Sequence, residues 1–229
     1  RMDIHAELGH FPEALEDATR IALIKQEPFS DYQVAVIRLI MKDQAAYRES
    51  CRRLFDGPAE ELADQLDFRM LACCLDPQAT EDYAGLVKQA KMVVDYAVAN
   101  KIEHTSFHLG ALLFRAGNLN EARELLTAAS RQWEDSGSLP LPSSYYDVLP
   151  AYTWYFLAMV NHDLDREAEA REWYERAESY GRTALETNHR EANSRANWLG
   201  NRAVNWHQRA VLEQLQTETR QRLGLDEAP

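Results

Sequence analysis

Histidine and aspartate side chains occur at two places in this chain with spacings that suit metal binding. His104 and His108 are four residues apart, so in a helix both imidazoles lie on one face, an arrangement that can bind Zn²⁺. No third ligand at zinc-site spacing accompanies them. The second group lies within residues 162–165, where aspartates are explained more simply as caps of the next helix. The sequence therefore predicts neither a metal site nor a cofactor.

Nucleophilic chemistry has little support in the sequence. The three cysteines, Cys51, Cys73 and Cys74, are odd in number and lack the spacing of a disulfide framework. We therefore expect reduced core or boundary thiols in a cytoplasmic protein. No Ser-His-Asp or Cys-His pattern has local support, and the scattered glycines exclude a phosphate-binding loop. We predict that this segment is not an enzyme.

Composition argues against two classes of partner. With 25 Lys and Arg against 37 Asp and Glu, the net charge of −12 repels nucleic acid and anionic membrane surfaces. Residues 181–223 are the exception, with seven Arg against four Glu. We interpret them as a basic helix that packs on an acidic array, with a phosphate-binding patch as the alternative. No stretch approaches the roughly 20 apolar residues of a membrane span. The expected partner is a protein or peptide, and the oligomeric state stays open.

The elements that would position these residues are helices. Only 9 Gly and 8 Pro are present, and apolar residues recur at intervals of three and four. Pro28 is predicted to end the second helix, Ser30 to cap a helix that ends near Met41, and Asp43 to cap the next. Further helices are predicted at 62–75, 83–98, 103–115, 120–134, 148–162, 166–179 and 191–223, with a Pro- and Ser-rich loop at 135–147.

One helix-turn-helix pattern occurs twice, 48 residues apart. The first copy comprises Leu109, Gly110, Ala122, Leu126 and Ala129, and the second comprises Leu157, Ala158, Ala170, Tyr174 and Ala177. Small residues at fixed places on two successive helices let those helices pack closely. Such a unit buries its apolar face by stacking on a copy of itself, which predicts a repeat array. The loop at 135–147 accounts for the excess over a repeat of about 34 residues.

These residues resemble the tetratricopeptide repeat. The resemblance implies an all-α fold, an α-α superhelix (a TPR-like solenoid) of about five helix pairs plus a C-terminal helix, in a single domain over residues 1–229. The clear repeats would be 101–134 and 148–180, and the helix at 191–223 would cap the array. Repeats within 1–100 are degenerate, since Lys42 stands where the turn glycine is expected and a linker at 76–80 stretches the third pair.

In tetratricopeptide arrays the first helix of each pair lines a concave groove that holds a peptide or helix. The resemblance implies a peptide-binding groove lined by His104, Phe107, Ala111, Phe114 and Arg115 in the fourth pair and by Tyr152, Tyr155, Met159 and His162 in the fifth. Aromatic and Met side chains would suit apolar anchors of a partner. The alternative is that the 135–147 loop or the last helix fills the groove, which would make these residues ordinary core.

A second resemblance concerns the order of short strings at 46–51, 72–77, 114–117 and 162–164. They are similar to the C-terminal repeat tails of large bacterial proteins with a serine/threonine kinase domain and often WD40 repeats. This resemblance implies a non-catalytic protein-binding scaffold or regulatory module, an excised piece of a larger signalling protein. The alternatives are a structural spacer or oligomerisation segment, and a helical domain that binds or converts a small molecule.

Overall fold

The computed structural model describes residues 1–101, 106–135, 149–191 and 204–225. These residues form twelve α-helices and no strand, which confirms the predicted all-α fold. The superhelical arrangement of helix pairs and the extent of a single domain stay predictions. None of the helices in these ranges has the length and apolar character needed to cross a membrane.

The chain divides into two units, of which the first comprises Arg1–Asn118. Its helices are α1 (Met2–Glu7), α2 (Phe11–Lys25), α3 (Pro28–Ile40), α4 (Gln44–Leu54), α5 (Ala59–Leu62), α6 (Leu66–Cys74), α7 (Tyr83–Ala99) and α8 (Ser106–Arg115). The central helix is α3, which packs against α2, α4 and α6, while α8 packs against α6 and α7. Tyr32, Ile37, Tyr47 and Met70 are among the fully buried side chains of this unit.

The second unit comprises Leu119–Pro229. Its helices are α9 (Leu119–Asp135), α10 (Pro150–Asp163), α11 (Glu167–Glu191) and α12 (Trp206–Arg222). The central helix is α10, which packs against α9, α11 and α12. Twelve consecutive residues of α10, 150–161, are buried. This helix therefore has no solvent-facing side over most of its length, as expected of a helix enclosed by neighbours.

One turn geometry recurs at four places. Gly9, Lys42, Gly117 and Asp165 have left-handed backbone, with φ of 75°, 58°, 78° and 57°, and each lies two residues before a helix begins. The amide of the residue that follows donates to the carbonyl five residues back at 2.8–3.0 Å, which is the Schellman arrangement. Lysine and aspartate thus adopt at two turns the conformation that glycine adopts at the other two, at a cost of about 1–2 kcal/mol each.

The start of α3 differs from the prediction. Pro28 does not end the preceding helix, which stops three residues earlier, but is the first residue of α3. Proline suits this position because its φ is already helical and its missing N–H is not needed there. Ser30 therefore lies inside the helix rather than at its cap, and its Oγ donates to Oε1 of Glu27 at 3.1 Å. Asp43 caps α4 as predicted.

The helix predicted at 62–75 begins at Leu66 as α6, and Leu62 instead ends the short helix α5, because Gln65 takes a left-handed backbone conformation with φ of 48°. The guanidinium of Arg69 donates to the carbonyl oxygens of Leu54, Glu61 and Asp64 at 2.6, 3.3 and 3.2 Å. Arg69 thereby satisfies backbone groups that the helix ends leave unpaired. The break between α5 and α6 could not be predicted from the apolar pattern, because it depends on these contacts of Arg69 with other segments.

The last two helices also have different bounds from those predicted. Instead of ending near residue 179, α11 continues to Glu191. A Cβ added at Gly181 would lie 3.3 Å from Cδ2 of Leu212, so this glycine allows α11 and α12 to approach closely and does not end the helix. The final helix begins at Trp206, after a capping box at Asn205, instead of at 191. Residues 192–203 of the predicted helix lie outside the described ranges.

Candidate binding cleft

The residues predicted to line a groove in the fourth pair lie mostly in the interior of the first unit. Phe107, Ala111 and Phe114 are buried in α8. Arg115 is half-buried, and its Nε donates to the carbonyl oxygen of Cys74 at 2.7 Å. His104 lies outside the described residues. Arg115 of α8 therefore supplies a hydrogen bond to a carbonyl oxygen at the end of α6 that has no partner within its own helix.

The corresponding residues of the fifth pair lie in the core of the second unit. Tyr152, Tyr155 and Met159 are at most 1% exposed. The Tyr152 hydroxyl donates to the Gln208 carbonyl of α12 at 2.7 Å, and the Tyr155 hydroxyl donates to Oε1 of Glu178 in α11 at 2.7 Å. The burial of these residues agrees with the alternative raised by the sequence, in which the last helix covers them and they belong to the hydrophobic core. Peptide binding by them stays a prediction.

The histidines considered as metal ligands have carboxylate neighbours. Nδ1 of His108 lies 3.0 Å from Oδ1 of Asp67, and Nδ1 of His162 lies 2.9 Å from Oε1 of Glu167. Asp163 accepts a hydrogen bond from Arg222 of α12. Within the ranges that the structure describes, no three or more His, Cys, Asp or Glu side chains are placed to hold a metal ion.

A cleft of about 720 Å³ opens on the first unit between α4 and the segment that leads from α6 into α7. One wall is a face of α4 that includes Ala45, Arg48, Glu49 and Arg52, residues three or four apart. The other wall comprises residues 79–82 and the first turns of α7. This volume lies within the range of sites for small molecules and short peptides.

Hydrogen bonds hold the two walls of the cleft at a defined separation. Nε of Arg48 donates to the Gln78 carbonyl oxygen at 2.7 Å, and Nε2 of Gln44 donates to Oδ1 of Asp76 at 3.2 Å. At the other end, Nε2 of Gln89 in α7 donates to the carbonyl oxygen of Phe55 at 2.8 Å. The cleft is therefore preformed, which lowers the entropic cost of binding a partner.

The N-terminus of α7, which forms part of the second wall, is already capped by the chain itself. Oδ1 of Asp82 accepts from the amide of Gly85 at 2.7 Å. A Cβ added at Gly85 would lie 2.2 Å from Oδ2 of Asp82, so a larger residue here would force the capping carboxylate to shift. Since the cap is an anion, this helix end does not attract a second one.

The floor of the cleft is apolar and includes Cys51, Phe55 and Cys73, which are 1–6% exposed. A hydrogen bond with the Cys51 side chain, together with burial, raises the pKa of the Cys73 thiol. The thiol of Cys73 is therefore neutral near pH 7 and a poor nucleophile in that form.

Two tyrosine hydroxyls donate hydrogen bonds to carbonyl oxygens at the carboxyl end of α6, near this floor. The hydroxyl of Tyr47 donates to the Ala72 carbonyl oxygen, and that of Tyr83 donates to the carbonyl oxygens of Cys73 and Asp76 at 3.0 and 2.7 Å. Burial raises the pKa of both tyrosines. These phenols supply the hydrogen bonds that the last turn of a helix cannot make within itself.

The rim of the cleft is charged and more acidic than basic. Its basic groups are Arg48 and Arg52, and its carboxylates are Glu49, Asp56, Glu81 and Asp82. Arg52 makes two hydrogen bonds of 2.8 Å to Glu49, which hold the pKa of that carboxyl below its usual value. The combination of an apolar floor and an acidic rim suits an apolar group that carries a positive charge nearby.

The sequence reasoning missed this cleft, although two signals pointed to it. The linker at 76–80, interpreted only as a stretched repeat, supplies much of one wall. Arg48 and Arg52 recur at helical spacing on the side of α4 opposite to its apolar stripe. Neither signal reveals a cavity by itself, because the depth of the cavity depends on the distance between the linker and α4, which the sequence does not give.

Comparisons of this chain with known protein families, with curated proteins and with solved structures find no match.

Proposed function

We propose that this chain is a non-catalytic protein- or peptide-binding module and that the cleft of the first unit is a contact site for the partner. The observation that carries the proposal is a preformed cleft of about 720 Å³ with an apolar floor and a charged rim. Binding sites for side chains of a partner combine these features, since the floor provides hydrophobic energy and the rim provides orientation.

The expected occupant is an apolar side chain next to a basic residue. Four carboxylates and two guanidinium groups line the cleft, and the whole chain carries a net charge of −12. A cationic flank would be attracted to this rim, and an anionic flank would be repelled.

The wider setting of the proposal comes from the two resemblances. The recurrence of one Schellman turn at residues 9, 42, 117 and 165 supports a repeat array. Such an array would act as a scaffold or regulatory part of a larger bacterial signalling protein, such as a serine/threonine kinase.

A catalytic role has less support from the cleft. The described residues that line it include no histidine. The pKa of the Cys73 thiol is raised, whereas an activated nucleophile needs a lowered one.

The test is a peptide array in which one apolar residue is varied between Lys or Glu flanks, followed by fluorescence anisotropy with the best binders. Leu86→Arg places a charge in the cleft and is expected to weaken binding by roughly tenfold or more. The matched control is Met92→Arg on the same helix, because Met92 is exposed and does not line the cleft. It is expected to leave the affinity unchanged.

The charge of the rim is tested separately with the double variant Asp56→Lys/Glu81→Lys. It is expected to reverse the preference from Lys-flanked to Glu-flanked peptides. Equal binding of both peptide classes by the wild-type chain, or unchanged affinity in Leu86→Arg, would overturn the proposal. Absence of any binding up to about 1 mM, which corresponds to only about −4 kcal/mol, would also overturn it.

A further inference from the structure

Two thiols from different helices meet at the floor of the cleft. Sγ of Cys73 in α6 donates to the carbonyl oxygen of Cys51 in α4 at 3.7 Å, and Sγ of Cys51 donates to that of Ala72 at 3.7 Å. Each sulfur thus contacts the backbone at, or next to, the other cysteine. The third thiol is not part of this pair, because Sγ of Cys74 donates to the carbonyl oxygen of Leu71 within its own helix at 3.2 Å.

Both thiols of the pair are free, and both line the cleft. Each cysteine is at most 3% exposed, so a protein cannot reach either sulfur from bulk solvent. The cleft of about 720 Å³ admits a molecule of a few hundred daltons as far as the floor that contains the two cysteines. Because the exposed fractions also count the cleft surface, the floor must open locally before that molecule reaches a sulfur. The reactants that the geometry allows are therefore small.

We propose that Cys51 and Cys73 form a redox modification site, at which a low-molecular-weight disulfide produces an intrachain disulfide between α4 and α6. At alkaline pH one thiol loses its proton, and the thiolate attacks a sulfur of the small disulfide and releases one small thiolate, which takes up a proton. The second cysteine, as thiolate, then attacks the protein sulfur of the mixed disulfide and releases a second small thiol. Two protein thiols and one small disulfide become one protein disulfide and two small thiols.

The positions of the two cysteines suit this bond. They are 22 residues apart in the sequence, and the helices that carry them pack against each other. Each sulfur lies near the backbone at or next to the other cysteine, which brings the side chains together without a large movement of either helix. This inference does not rest on the proposed peptide binding.

The experiment treats the full chain with glutathione disulfide at mildly alkaline pH, blocks the remaining thiols by alkylation and maps tryptic peptides without reduction. The expected product joins peptide 49–52, which contains Cys51, to peptide 70–88, which contains Cys73 and Cys74. Because the second peptide holds two cysteines, Cys74→Ala is the matched control. It is expected to give the same cross-link, which can then involve only Cys51 and Cys73.

The variant Cys73→Ala is expected to lose the cross-link and to carry glutathione on Cys51 instead. If this variant does not fold, Cys74→Ala decides by itself, since only one pair of cysteines is left in it. The proposal is overturned by a vicinal bond between Cys73 and Cys74, by loss of the cross-link in Cys74→Ala, or by a wild-type chain that yields only glutathione adducts or three alkylated thiols.

Discussion

Helix α4 of the first unit and helix α10 of the second differ in how many of their sides are covered. Buried residues of α4 are Tyr47, Ser50, Cys51 and Leu54, which form one stripe at intervals of one, three and four, and another face of the helix lines the cleft. In α10 all residues from 150 to 161 are buried, with α9, α11 and α12 packed against it. A helix with one apolar stripe leaves a face for a partner, whereas a helix that is apolar on most sides must be enclosed.

This comparison explains where the aromatic residues of α10 lie. Tyr152 and Tyr155 were expected to line a groove, a role that needs an exposed face. Their hydroxyls instead donate to the Gln208 carbonyl oxygen and to the Glu178 carboxylate, and Gln216 of α12 donates to that same carboxylate at 2.8 and 2.9 Å. The polar tips of the two tyrosines are thus satisfied inside the unit, as buried phenols require.

The largest expected effect tests whether α10 is enclosed. Phe156 is fully buried, so Phe156→Ala is expected to lower the free energy of unfolding by about 3–5 kcal/mol. Met92→Ala on the exposed side of α7 is the control and is expected to change it by less than about 0.5 kcal/mol. Urea denaturation followed by circular dichroism measures both. A loss below about 1 kcal/mol for Phe156→Ala would show that α10 is not enclosed.

Acid sensitivity is the next test of the second unit. Burial lowers the pKa of His207 in α12 to about 3, below the value of about 6.5 in an unfolded chain. Between these values the unfolded chain binds a proton that the folded chain does not, so stability is present above pH 6.5 and falls as the pH decreases. From pH 6.5 to 4.5 this histidine should remove about 2 kcal/mol.

The variant His207→Gln lacks this titration and serves as the comparison. Its free energy of unfolding, measured in urea at several pH values, should fall less steeply with acid than that of the wild-type chain. Parallel curves for the two proteins would contradict a buried neutral His207.

A pair of tyrosine variants compares the cleft with the enclosed helix directly. Tyr83→Phe removes the hydroxyl that donates to the carbonyl oxygens of Cys73 and Asp76, and Tyr152→Phe removes the hydroxyl that donates to Gln208. Each is expected to lower the free energy of unfolding by about 1 kcal/mol. Only Tyr83→Phe should also weaken peptide binding in the anisotropy assay, since Tyr83 supports the floor of the cleft. If both variants changed peptide binding equally, the result would contradict the claim that the cleft binds the peptide and the enclosed helix does not.

The smallest effect concerns the capped end of α7. Gly85→Ala introduces a Cβ that collides with Asp82, whereas in an Asp82→Ala background the same change only adds a better helix former. A double-mutant cycle by urea denaturation should therefore give a coupling of about 1 kcal/mol between the two positions. Additive effects would show that Gly85 is not needed for the cap.

Several features of the fold were predictable because they depend on neighbouring residues in the sequence. The all-α class and the cap at Asp43 were predicted correctly. The first residues of α3 and α6 were not, because Pro28 is equally a helix stop and a first helical residue, and Gln65 carries no signal for a left-handed conformation. Gly181 could not be assigned either, since its role is the approach of Leu212 from another helix.

Helical periodicity and turn chemistry act over a few residues, and for that reason helix type and the small residues of the repeat can be inferred from the chain alone. The position of the cleft, the pairing of Cys51 with Cys73 and the enclosure of Tyr152 depend on which distant segments come together. An apolar face looks the same in sequence whether a partner or the chain's own last helix covers it, because burial stabilises both arrangements through the same removal of apolar surface from water. Packing against α12 makes the Tyr152 face of α10 part of the core. Beside α4, in contrast, the linker at 76–80 leaves a cleft open.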